Sequence, residues 1–211
     1  MRWLSLYLRS RGVPPIAGAG LGLVALAWTP WTMFSKTRDV DFPYVLLIVV
    51  LLVSAVSVTL AGPDDALDRT AAKPWRPRRL AHLLVTYALI TAVLLATLAT
   101  PARFGPAAEV SRDVAGLLGL TALGAALLGA HRSWFLPLLW TLPALYISAI
   151  AGEGGAAEGP PSWTRQALTW MMQPIDSRPA AIVAAALAIA GLLAFSLRGT
   201  PPRPASDPAP A

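Results

Sequence analysis

Six long stretches without a single Asp, Glu, Lys or Arg govern what this chain can fold into: residues 14–34, 43–62, 80–100, 114–131, 134–152 and 179–197. At 1.5 Å per residue each comes close to the roughly 30 Å of a bilayer's hydrocarbon. A backbone in lipid must satisfy its own hydrogen bonds, so each stretch reads as a helix. The expectation is an all-α membrane protein with six transmembrane helices. Composition agrees: 55% of residues are hydrophobic and 13% charged, about half the charged share of soluble domains. Six spans and short loops consume the 211 residues, leaving a membrane domain over 12–198 and no separate globular unit. The fourth stretch is the weakest helix, with Gly116, Gly119, Gly124 and Gly129. The fifth carries Pro137 and Pro143, which a membrane helix tolerates when neighbours satisfy the freed carbonyls.

Orientation follows from the basic residues in the loops. With the amino terminus in the cytoplasm, eleven Lys and Arg fall inside and six outside. The contrast is sharpest early: Arg69, Lys73, Arg76, Arg78 and Arg79 lie between spans 2 and 3, against Lys36 and Arg38 between spans 1 and 2. The net charge of +6 is therefore read as topology, and nucleic acid is not an expected partner. An arginine-heavy, Ala-, Pro- and Gly-rich composition suggests a high-GC bacterial source and the bacterial cytoplasmic (inner) membrane. Both termini are expected in the cytoplasm, and the tail from 199 to 211, rich in Pro and Ala, is expected to be disordered.

Residues 1–11 put Trp3, Leu4, Tyr7 and Leu8 on one helical face and Arg2, Ser5 and Arg9 on the other. That pattern predicts an amphipathic helix lying in the interface, with Trp3 and Tyr7 as anchors. In the loop from 61 to 81, Asp64 or Asp65 caps a short helix, Asp65 and Arg69 form an (i, i+4) pair, and Asp68 adds to its acidic start. Trp75, Arg76, Arg78 and Arg79 then anchor span 3 at headgroup level. The last long loop, 153–178, holds Trp163, Ala167, Trp170 and Met171 on one helical face, predicting a piece that lies on or dips into the outer leaflet.

Equipment for chemistry is missing from the sequence. There is no cysteine, GxGxxG, P-loop or GxSxG, and the two histidines stand far apart at 82 and 131. No enzyme, metal or cofactor is expected, and the acidic trio at 64, 65 and 68 is explained by capping. Spans free of ionisable residues argue against a proton relay. His82 reads as an interfacial residue beside Arg78 and Arg79, heading a weak stripe of Thr86, Val93, Thr97 and Thr100. Small residues at four-residue spacing, Gly18 with Gly22, Thr121 with Ala125 and Gly129, and Ala184 with Ala188, let helix backbones approach.

The order of these elements resembles the membrane subunit of ABC-2-type exporters, which carry an amphipathic connecting helix, six spans, a coupling helix between spans 2 and 3, and an outer interfacial or re-entrant helix between spans 5 and 6. The counterparts are residues 1–11, 64–72 and 161–174. The resemblance is one of layout. It implies a half-transporter that pairs with a second permease copy or paralogue and with an ATP-binding-cassette ATPase. Asp64, Asp65, Asp68 and Arg69 would form the ATPase contact. Membrane lipids would surround it, and its cargo would be an amphipathic small molecule, peptide or lipid-linked compound. The alternative is an accessory membrane scaffold without a pathway; a lipid-modifying enzyme ranks last because its polar cluster is missing.

Overall fold

A computed structural model describes residues 13–60, 75–153 and 162–201. The amphipathic helix at 1–11 with Trp3 and Tyr7, the loop residues Asp64, Asp65, Asp68 and Arg69, and the tail beyond 201 lie outside the described residues. Six long helices follow one another: α1 Val13–Phe34, α2 Phe42–Leu60, α3 Trp75–Ala96, α4 Ala107–Leu128, α5 Phe135–Glu153 and, after the short α6 Trp163–Leu168, α7 Arg178–Arg198. Each of the six is long and apolar enough to cross a membrane. Single 3-10 turns at Thr97–Ala99, Ala130–Arg132 and Trp170–Met172 join them.

Prolines and glycines set the boundaries. Pro179 enters α7 in its first turn, where the missing N–H costs nothing. α4 begins after Gly105, at φ 102°, and Pro106; it stops at Gly129, at φ 88°. The sequence places span 4 at 114–131, but the helix starts seven residues earlier, at Ala107. An apolar run ends at the last charge, whereas a helix ends where its backbone partners end. Glu109, Arg112 and Asp113 therefore sit inside α4, correcting the expectation that no span holds an ionisable residue. Span 3 likewise starts at Trp75 rather than residue 80, because Pro77 is tolerated in a first turn.

α4 is the centre of the bundle, touching α2, α3, α5 and α7, with its most extensive contact to α7. Its glycines make this possible. A Cβ at Gly191 on α7 would collide with the backbone of Gly119, and one at Gly119 would meet Leu187 and Ala188 of α7. At Gly124 a Cβ would come within 2.8 Å of the Ser133 carbonyl, and at Gly116 it would strike the Trp170 ring. Three of the four glycines that weaken span 4 as an isolated helix, Gly116, Gly119 and Gly124, are thus the notches that admit its neighbours, while Gly129 ends the helix. Of the small residues at four-residue spacing, Thr121, Ala125 and Ala184 are buried, whereas Gly129 and Ala188 are half-buried. Gly18 and Gly22 on α1 meet nothing within 4 Å, so among the described residues this pair packs no helix.

At one end of the bundle the α1–α2 and α3–α4 connections are joined by an isolated parallel bridge between Asp39 and Arg103. Val40 N–H donates to Arg103 O at 2.9 Å and Arg103 N–H to Arg38 O at 2.7 Å. Beneath it Ala102 and Phe104 are buried. Trp28 Nε1 donates to Thr100 Oγ1 at 2.9 Å, tying α1 to the end of α3, and the Trp31 and Tyr44 rings stack at 6.2 Å. Elsewhere α1 is peripheral, with Val24 and Ala27 its buried apolar residues. At the opposite end, the Gly199 turn that closes α7, at φ 67°, lies against the Arg79 guanidinium.

Candidate functional site

α1 is tied to the bundle at the bridge end by the Trp28–Thr100 hydrogen bond and the Trp31–Tyr44 stack, and its first half lines an opening toward α2 and α3. A groove of about 190 Å3 is left between the three helices. On α3 it is lined by His82, Thr86, Leu89, Ile90 and Val93, a spacing of three and four residues that puts them on one helical face. Gly20 and Leu52 face it from α1 and α2. Its polar side chains, Thr59, His82 and Thr86, all lie toward the end away from the bridge, and the remaining lining is apolar.

The polar end is ordered by hydrogen bonds. The Thr59 hydroxyl donates to the Val56 carbonyl at 2.7 Å, which leaves its oxygen to accept. His82 Nε2 lies 3.1 Å from that oxygen, within hydrogen-bond distance. This fixes the imidazole against α2, where Thr59 is buried. Of the remaining stripe on α3, Thr86 and Val93 face the groove. Thr97 instead donates to Leu94 O at 2.6 Å and accepts from Phe104 N at 3.3 Å, within the bridge end. Thr100 accepts from Trp28 there. The stripe is therefore divided between a groove and a joint.

The predicted anchors fall around the polar end. Arg76 is exposed; Arg78 and Arg79 are half-buried. Arg78 stands one turn before His82 on the same face of α3, while Arg79 turns to Gly199.

The outer-helix residues do not share a face. Trp163 is 60% exposed, whereas Trp170 and Met171 are fully buried. α6 ends at Leu168, and the chain tightens into the 3-10 turn Trp170–Met172, which rotates Trp170 and Met171 into the bundle. Trp170 lies on Gly116, and Trp140 Nε1 donates to Leu168 O at 3.0 Å. A tryptophan without a facing Cβ fills an internal notch better than it anchors in lipid, which is why the surface expectation fails for these two residues.

Holding this turn in place are two residues that the search for uncharged runs excluded. Arg112 on α4 donates from Nε to Asp113 Oδ1 at 3.0 Å, from Nη1 to Pro174 O at 3.2 Å, and from Nη2 to Met171 O at 3.4 Å. Its side chain is 9% exposed and that of Asp113 6%. A buried guanidinium is tolerable only with such partners. The signal in the sequence was Pro106 followed by Glu109, a helix start one to two turns before the charged pair. Between α3, α4 and α7 lies a second groove of about 210 Å3, in which Tyr87 is the one polar side chain.

Among the described residues no group of three His, Cys, Asp or Glu stands close enough to hold a metal ion. The grooves accordingly offer shape, apolar surface and a few hydrogen bonds. No family model, curated protein or solved structure matches the chain.

Proposed function

We propose that this multi-pass membrane protein is the permease half of an ABC-2-type exporter. In this reading it sits in the bacterial cytoplasmic membrane with both termini in the cytoplasm. It pairs with a second permease copy or paralogue and takes energy from a separate ATP-binding-cassette ATPase. The observation that carries the reading is the α1–α2–α3 groove, apolar along its length and polar at one end, a surface suited to an amphipathic cargo and unsuited to an ion. The layout of spans and loops supports it. Asp64, Asp65, Asp68 and Arg69 are the proposed ATPase contact. Reversal of Arg69 to Glu removes the (i, i+4) pair that the sequence predicts with Asp65, and a solvent-exposed pair of that kind is worth under about 1 kcal/mol. Loss of coupling in that variant would therefore report on the contact rather than on loop stability.

The backbone crossing of α4 on α7 favours a second reading, a membrane scaffold without a pathway, since helices locked glycine to glycine resist the relative motion that transport needs. Purification of the tagged chain from its native membrane, with bound proteins retained, separates the two. The exporter reading expects an ATP-hydrolysing subunit to accompany the wild type and coupling to be lost in Arg69→Glu at equal abundance. A wild type that brings no ATPase leaves the scaffold.

A further inference from the structure

We infer that the α1–α2–α3 groove is a binding site for a compact, neutral, single-ring molecule carrying a hydrogen-bonding group, and that the Thr86 hydroxyl is the contact that selects it. The inference deepens the transport reading by naming the class of cargo, and rests on it only for whether the bound molecule is moved. Three observations define the ligand. Size is the first: the groove's volume of about 190 Å3 is little more than the roughly 150 Å3 that accommodates a benzene. Charge is the second. The lining holds no Asp, Glu, Lys or Arg, so an ionised ligand would lose its water there without gaining a counter-ion.

The third is an unspent hydroxyl. Of the three polar side chains along the groove, Thr59 and His82 lie within hydrogen-bond distance of each other. Thr86, one turn along α3 from His82, is 8% exposed and has no hydrogen-bond partner among the described residues. Thr59 and Thr121 donate to carbonyls of their own helices, the common way for a threonine inside a helix to satisfy itself. Thr91 and Thr141 also lack partners, but they line neither groove. Thr86 is therefore a buried donor and acceptor whose open side is the groove. A hydrocarbon chain would leave it unpaired, whereas a hydroxyl, carbonyl or amide on the ligand pairs with it. Leu52, Leu89, Ile90 and Val93 then cover the apolar body of the ring.

The full chain in phosphatidylcholine nanodiscs is photolabelled with an aryl azide bearing a hydroxymethyl group and, separately, with the analogue in which ethyl replaces hydroxymethyl; no ATPase is needed. Adducts are mapped by peptide mass spectrometry. Label on residues 16–21 and 52–59, which hold the α1 and α2 lining of this groove, is divided by label on 115–122 and 188–192, which hold the α4 and α7 lining of the other. Partition of each probe into the bilayer then cancels. In wild type the ratio should be about fivefold higher for the alcohol, the contribution of one neutral hydrogen bond. Thr86→Val, which loses the hydroxyl at nearly the same shape, should bring the two probes level, and Thr86→Ser should keep the preference. Ala55→Phe, which fills the groove from α2, should remove both probes from 16–21 and leave 188–192 unchanged. Equal ratios in wild type overturn the inference, as does a preference that survives Thr86→Val. Label spread evenly over every lipid-facing helix shows that lipid alone fills the groove and overturns it too. None of these results touches the exporter reading, which fails only if no ATPase accompanies the chain.

Discussion

Single glycines decide how closely this bundle packs. Gly191 has no room for even a methyl group, because the obstacle is the Gly119 backbone and not a side chain that can turn aside. Gly191→Ala should therefore cost about 1–3 kcal/mol through overpacking, although alanine is the better helix former by about 1 kcal/mol. Gly18→Ala faces open space and should lie within about 0.5 kcal/mol of wild type. Unfolding in mild detergent, followed by circular dichroism, compares the two. Equal destabilisation would mean that α1 packs against a second chain through Gly18. Both glycines sit in apolar runs, and spacing alone does not distinguish them: Gly18 has the four-residue partner at Gly22, while Gly191 finds its partner on another helix.

At the scale of elements, the connection from α6 to α7 is pinned to α4 at two points, the Trp170 ring on Gly116 and the Arg112 guanidinium on Met171 O and Pro174 O. Arg112→Leu removes three donated hydrogen bonds and leaves Asp113 without its buried partner, a change that costs about 3–5 kcal/mol in comparable pairs. Replacing both residues with leucine should cost less than the single change, because no lone carboxyl remains. Hydrogen exchange should rise over residues 162–177 in Arg112→Leu and stay near wild type over α2 and α3. A uniform rise through all helices would show instead that the pair holds the whole bundle.

On the scale of the molecule, the Asp39–Arg103 bridge requires the 35–41 and 101–106 connections to lie on one side of the membrane, as two intervening spans demand. Charge counting assigns that side to the exterior. Topology reporters placed after Lys36 and after Pro106 should both report the outside, and a reporter within 153–160 should agree with them. A split result between the first two would break the bridge, while a uniform cytoplasmic result would invert the orientation and keep the fold.

The sequence by itself determined the class and the count: six helices, each long and apolar enough to span, follow from the alternation of uncharged runs with charged or proline-rich loops, because the cost of burying charge in hydrocarbon is local to each segment. It located α2, α5 and α7 to within one or two residues. It also marked His82, Thr86 and Val93 as a stripe on one face. What it left open was everything that depends on which helix faces which. Trp163 and Trp170 have the same chemistry and a helical spacing, yet one is exposed and the other fills a notch, because only the position of Gly116 on another helix decides between lipid and interior. Arg112 and Asp113 look like loop charges until the carbonyls of Met171 and Pro174, some sixty residues away, accept from the Arg112 guanidinium, whose Nε in turn pairs with Asp113. Hydropathy is a sum over neighbours in the chain, whereas close packing and the satisfaction of buried charge are settled between residues that only the tertiary structure brings together.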